Sequence, residues 1–314
     1  MMTGTTIAAR WISTVLTLAA VQGCKTTAPS PPPTMLKRSD NLTRILGQME
    51  ASPAARPWQT RVSTNIRVRF RTRLSHARRV LADAEKHRQD QLLWWRRAIT
   101  PVWQPKCEVF LFPSTKAMRR SGRGQHFAAF SMAHSARLTP GLMLKRQINL
   151  ASTDRYLLIN TLPHEMSHVV LAGLLPNVSL PLWANEGLAT LWESRASRRG
   201  RGATIALALA LGRAFPLHRL LMMARYPTTR RNKAIYYAQA MSLVEVFLQM
   251  ADREVFLAFL AEISPSNYLH QRTTSWATIA GALAKHYAIT DLSILEARWS
   301  RWVRARSLAS ATEQ

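Results

Sequence analysis

Carboxylates are scarce in this chain: 17 Asp and Glu stand against 43 Lys and Arg among 314 residues, a formal net charge of +26. Such an imbalance says nothing about fold, but it predicts attraction to polyanions, whether nucleic acid, anionic lipid headgroups or acidic wall polymers. Specific nucleic-acid recognition is set aside, because no known nucleic-acid-binding motif is visible. The basic, glycine-bearing stretch Arg119-Arg120-Ser121-Gly122-Arg123-Gly124 lacks the Gly-Lys-Ser/Thr ending that a phosphate-cradling loop requires. Two cysteines, Cys24 and Cys107, are too few for a disulfide framework. The apolar run from Trp11 to Val21 is about half the roughly twenty residues needed to cross a bilayer. No internal repeat is present, and the length suffices for a full core in one large domain or two smaller ones.

What the chain does have is His164-Glu165-Met166-Ser167-His168. Residues four apart share one face of a helix, so His164 and His168 can offer two imidazole nitrogens to a single ion. Glu165 lies about 100° further round the same turn. Two His ligands and a carboxylate able to take a proton from water form the pattern of a zinc hydrolase. A hydrolytic zinc site takes a third protein ligand and keeps a fourth position open. The candidate is Glu186, within Trp183-Ala184-Asn185-Glu186-Gly187-Leu188-Ala189. The interval between fits a helix ending near Gly173, a loop through Pro176 and Asn177, and a second helix starting at Pro181, since Gly and Pro stand where helices stop and start. Pro163 is tolerable only in the first turn of a helix, because in the interior it costs roughly 3 kcal/mol. Thr161 is therefore expected as the cap and Leu162 as the first helical residue, the alternative being a kink just ahead of His164.

The first 23 residues read as an export signal, with Arg10 supplying charge and Trp11 to Val21 an apolar core. Val21-Gln22-Gly23-Cys24 resembles the lipobox of bacterial lipoproteins, with Gln22 departing from the residue type usual there; an ordinary cleaved signal and an uncleaved anchor are the other readings. The resemblance implies that Cys24 is lipidated, which leaves Cys107 as a buried, unpaired thiol. Residues 24–38, with Pro29 and Pro31-Pro32-Pro33, read as an extended tether. An N-terminal helical segment is expected over 39–60, ending in a Pro-containing loop.

From 61 to 307 an α+β domain is expected, with a small mixed sheet and the metal helix in 61–174 and a mostly helical remainder in 175–307. The strands are Ile66 to Arg71, which alternates apolar residues with Arg, then Cys107 to Phe112, Phe127 to Ala133 and Gln147 to Ala151. A helix capped by Ser75 carries the stripe Val80, Leu81, Ala84, Leu92 and Trp95. Later helices are expected over 203–213, from Ile235 to about Met250, and over 256–263, 276–284 and 291–303. Basic loops are expected at 195–201 and 225–233.

Together these residues resemble the thermolysin-like zinc peptidases called gluzincins, and within them the bacterial peptidase MA-like domains, over roughly Ser63 to Arg304. The likeness includes the strand–helix–strand ahead of the metal helix, the two metal motifs, the Tyr237-Ala238-Gln239-Ala240 helix start, and the closing segment from Leu283-Ala284-Lys285-His286-Tyr287 to Trp299 and Trp302. It implies one Zn²⁺ held by His164, His168 and Glu186, with Glu165 as general base. It implies a tyrosine at Tyr237, or at its neighbour Tyr236, that donates to the developing oxyanion. Those enzymes commonly carry an Asp four residues after the ligand Glu, bonded to a ligating His; here that position is Thr190, leaving the part to Thr190, Glu193 or a backbone carbonyl. His126 and His134 flank the third strand, which edges the cleft in related enzymes. A metzincin is excluded, since Val169 to Leu174 lacks the third His. The expected activity is hydrolysis of peptide bonds in peptide or protein substrates, on the periplasmic face of the bacterial envelope, with the membrane held through Cys24. The competing expectation is a lipid-anchored binder of anionic envelope polymers whose metal site is structural or degenerate.

Overall fold

A computed structural model describes residues 57–96, 102–122, 129–135, 143–176, 178–264 and 274–312, all within one compact unit, Ala51–Gln314. The sheet begins with β1 (Gln59–Val62) antiparallel to β2 (Ile66–Phe70). Side chains alternate across a strand, so Ile66, Val68 and Phe70 of β2 are fully buried while Arg67 and Arg69 face outward onto Glu108. Strand β3 (Cys107–Phe112) runs parallel to β2, and β5 (Met143–Ala151) runs parallel to β3. Strand β4 (Ala129–Ser135) closes the order β1-β2-β3-β5-β4 as an antiparallel edge. Parallel neighbours need a crossover, and α1 (Leu74–Arg96) supplies the one between β2 and β3, burying Val80, Ala84, Leu92 and Trp95 of the expected stripe. Helix α1 starts at Leu74, so Ser75 lies inside its first turn and is not its cap. A short α2 (Thr115–Arg120) takes in the first two residues of the basic stretch. Cys107 is fully buried and unpaired, its thiol pushed up by that burial.

Strand β1 corrects the end of the expected helical segment 39–60: all four of its residues are exposed, so no apolar alternation marks it. Residues 39–56, the export signal, Cys24 and the tether lie outside the described residues. Among the described residues no helix is long and apolar enough to cross a membrane.

After β5 come α3 (Leu162–Leu174), α4 (Leu182–Leu191), α5 (Arg195–Ala210), α6 (Leu217–Leu221), α7 (Arg230–Met250), α8 (Arg253–Ile263), α9 (Trp276–Tyr287) and α10 (Leu292–Thr312). The architecture is thus α+β, with a five-stranded mixed sheet followed by helices. The basic stretch 195–201 is not a loop but the first turns of α5. Ser194 caps it by accepting from the Ser197 N–H at 3.2 Å, and Arg is among the better helix formers, so a solvated run of Arg coils once a cap is present. In the same way Thr229 accepts from the Asn232 N–H at 3.2 Å and starts α7 at Arg230, inside the second expected loop.

The entry to α3 explains how Pro163 is accommodated. One π-helical turn, Leu157–Thr161, precedes it, with the Thr161 N–H donating to the Tyr156 carbonyl at 3.3 Å and the Leu162 N–H to that of Leu157. Pro163 falls in the first turn of α3 as expected, where its missing N–H costs least. Thr161 does not cap the helix: it is already in the αR conformation, and its hydroxyl goes to the Asp154 carboxylate. From α1, the Gln91 amide donates to the Pro163 carbonyl at 2.8 Å and ties down the residue before His164.

Helices α4 and α7 meet at Gly187, where a Cβ would lie 2.6 Å from the Ala240 carbonyl oxygen and 2.7 Å from Val244 Cγ2. Those distances lie inside van der Waals contact, so Gly187→Ala must push the helices apart beside Glu186. Overpacking of this kind costs about 1–3 kcal/mol. The expected result is a lower urea midpoint with an unchanged m-value; an unchanged midpoint would mean that the two helices slide apart freely.

Candidate metal centre

The i, i+4 spacing on α3 brings His164 and His168 to a ring-centroid separation of 5.0 Å. Helix α4 returns beside α3 and lays Glu186 across both rings, with Oε2 3.3 Å from His164 Nε2 and Oε1 4.0 Å from His168 Nε2. Ligand atoms of the three residues lie within 4.8 Å of one another. Bonds of about 2.0–2.2 Å in a tetrahedron set ligand atoms about 3.3–3.6 Å apart, so small side-chain shifts would let the trio hold one ion. Two imidazole nitrogens and a carboxylate oxygen are a donor set that suits zinc. The three residues expected as ligands are therefore brought together.

Both rings are also held from behind. His164 Nδ1 lies 3.1 Å from Glu193 Oε1, and His168 Nδ1 lies 2.9 Å from Asn185 Oδ1. Glu193 is clamped in turn by Arg201, with Nη2 at 2.8 Å and Nε at 3.1 Å, and by the Ser197 hydroxyl. Of the alternatives for the missing Asp, Glu193 takes the part. Thr190 does not: its hydroxyl donates to the Glu186 carbonyl at 2.7 Å, one helical turn back. Glu193 succeeds because it lies just beyond the end of α4, where the chain turns toward α5. An anchor of this kind contributes about ten- to a hundredfold in metal affinity. Glu193→Gln should weaken zinc binding by that factor in competition with a chelating dye, and unchanged affinity would show the anchor to be idle.

Electrostatics follow from these contacts. Burial alone would lower the His164 pKa, but hydrogen bonds to Glu186 and Glu193 outweigh it and push it up to about 10. Burial would raise Glu186, yet its contacts with His164, His168 and Tyr226 hold it down to about 2. Glu193 is likewise lowered to about 2 by His164 and Arg201. Without a metal, a proton on His164 supplies the positive charge between two carboxylates.

The centre forms the floor of a cleft of about 330 Å³. Glu165 faces it from α3, and the edge strand β4 forms one wall through Ala129, Phe130 and Ser131. Between the two tyrosine candidates, Tyr237 lines the cleft. Tyr236 does not: it is fully buried, and its hydroxyl has no partner among the described residues. A third phenol, Tyr226 on the segment between α6 and α7, reaches the site and donates to the Glu186 carboxylate. Tyr226 stacks on Tyr237 at 6.3 Å. Sequence reading passed over Tyr226 and Asn185; the signals were an aromatic residue in a basic stretch, and an amide next to the ligand carboxylate. His126 and the His134 side chain lie outside the described residues. Compared with protein-family models and with curated proteins, the chain matches none.

Proposed function

We propose that this chain is a zinc-dependent peptidase. The observation that carries the reading is the convergence of His164, His168 and Glu186 ligand atoms within 4.8 Å on the floor of a cleft that also holds Glu165. When bound there, zinc supplies Lewis acidity toward water and the scissile carbonyl. Glu165 lies one residue from the first ligand and opens onto the same cleft, so it is placed to accept the proton of the attacking water and return it to the leaving amine. Tyr237 and Tyr226 keep their phenolic protons, because burial and the Glu186 charge both raise their pKa. Tyr237 is therefore the donor for the oxygen on which negative charge develops, whereas the single phenolic proton of Tyr226 is given to the Glu186 carboxylate. An extended peptide fits beside β4, whose outer edge has no strand partner among the described residues and can pair with substrate backbone. Attachment to the envelope membrane through Cys24 rests on the lipobox-like motif.

The test is incubation of the purified chain with a broad mixture of quenched fluorescent peptides. Hydrolysis should stop with chelator and return with about one equivalent of zinc. A chain that holds its zinc yet cleaves nothing, and is retained on anionic polymers whether or not chelator is present, would instead support the binder that the net charge of +26 motivates.

A further inference from the structure

Between Ser194 and Val244 the sequence carries ten Lys and Arg and no Asp or Glu. This carboxylate-free stretch forms part of the cleft wall, since it supplies Tyr226 and Tyr237. On α7, Lys233 is four residues before Tyr237 and Arg230 is seven before it, so all three share one face of the helix. Tyr237 lines the cleft, and Lys233 and Arg230 continue its face of α7 toward the helix N-terminus, beyond the lining residues. Arg225, the sequence neighbour of the cleft-lining Tyr226, is exposed, as is Arg230. Arg201 also lies over the Tyr237 ring, at 5.2 Å, but its guanidinium is committed to Glu193. Arg225, Arg230 and Lys233 have no carboxylate partner among the described residues, in contrast to Arg67 and Arg69, which share Glu108. Among the described residues, the carboxylates that line this cleft are Glu165 and Glu186.

A wall of one sign beside a reacting centre selects ligands of the opposite sign. We propose that the substrate is an acidic peptide whose carboxylates, on one side of the scissile bond, lie along the Arg230–Lys233–Tyr237 face of α7. This rests on the peptidase reading and specifies its substrate class.

The test compares three peptides of one scaffold, flanked by Glu, Gln or Lys on that side, each made in a cleavable and a reduced-amide form. Binding of the uncleavable forms is measured by fluorescence anisotropy on the zinc-loaded chain, on R230E/K233E, and on R78E/R79E, a pair of equal charge change on exposed positions of α1. The Glu peptide is expected to bind about tenfold tighter than the Gln peptide at about 50 mM salt, and to lose that advantage at about 500 mM. R230E/K233E should abolish the preference while R78E/R79E retains it; R230Q/K233Q replaces the reversal if α7 is disturbed. Equal loss in both reversal variants assigns the attraction to the whole molecule and overturns the inference, as does equal binding of the Glu and Gln peptides. If long-chain polyphosphate, and not the Glu peptide, loses affinity in R230E/K233E, the wall serves an anionic polymer and the inference also falls. The cleavable forms separate the two readings. Preference in binding with no turnover keeps the acidic-peptide wall and removes the peptidase, whereas turnover without preference does the reverse.

Discussion

Glu165→Gln will keep its zinc and lose peptide hydrolysis, with kcat lower by about 10²–10⁴-fold, the range for removal of a positioned general base. The amide has nearly the shape of the carboxylate, so the cleft is preserved, but it cannot take a proton from water. Metal should stay because Glu165 is not among the three residues whose donor atoms converge. It is also distinct from the two that anchor the imidazoles, Glu193 and Asn185. Saturating kinetics on any peptide that the wild type cleaves, with elemental analysis of the same sample, reads both parts. Residual turnover within about tenfold of wild type would place the base elsewhere. Zinc lost along with activity would make Glu165 a ligand.

Glu186→Gln is expected to do the opposite and remove tight zinc. A four-ligand zinc site supplies roughly 10–16 kcal/mol, so replacing one anionic ligand by a neutral amide should weaken binding about a hundredfold or more. Glu186 is nearly buried, and its carboxylate is compensated by His164, His168 and Tyr226. The amide leaves those partners facing a neutral group. The same centre predicts how zinc binding depends on pH. With the pKa of His164 pushed up to about 10 in the metal-free protein, zinc must displace a proton throughout the neutral range. Affinity should therefore fall as pH falls, by about tenfold per unit from this group alone, and each zinc bound near pH 7 should release about one proton from His164. Calorimetric titrations in two buffers of different ionisation enthalpy count that proton. No release would mean that His164 is already neutral and that its contact with Glu186 is weaker than the geometry implies.

The parts of this site that were legible in the sequence are those governed by one or two turns of chain. His164 and His168 share a face because of helical pitch. Pro181 and Gly173 bracket the connection that lets α4 return, and Ile66, Val68 and Phe70 announce a half-buried strand by period-two alternation. The misreadings are also local. Charge patterning cannot distinguish a solvated helix from a solvated loop: Arg195 to Arg201 reads as a loop by sequence, and the Ser194 cap makes it the start of α5. An edge strand exposed at every position, β1, carries no apolar signal.

What the amino-acid order determined by itself was the supply of chemistry: two imidazoles and a carboxylate on one helix, and a second carboxylate at a reachable distance. Tertiary structure alone decided which residues meet. Glu186 reaches the imidazoles because α4 packs back beside α3 and, through Gly187, closely against α7. Glu193, not Thr190, holds His164, and Tyr226 enters the site while Tyr236 is buried outside it. These outcomes depend on how helices distant in the chain approach and turn, which side-chain size and packing set across the whole core. No local periodicity records them.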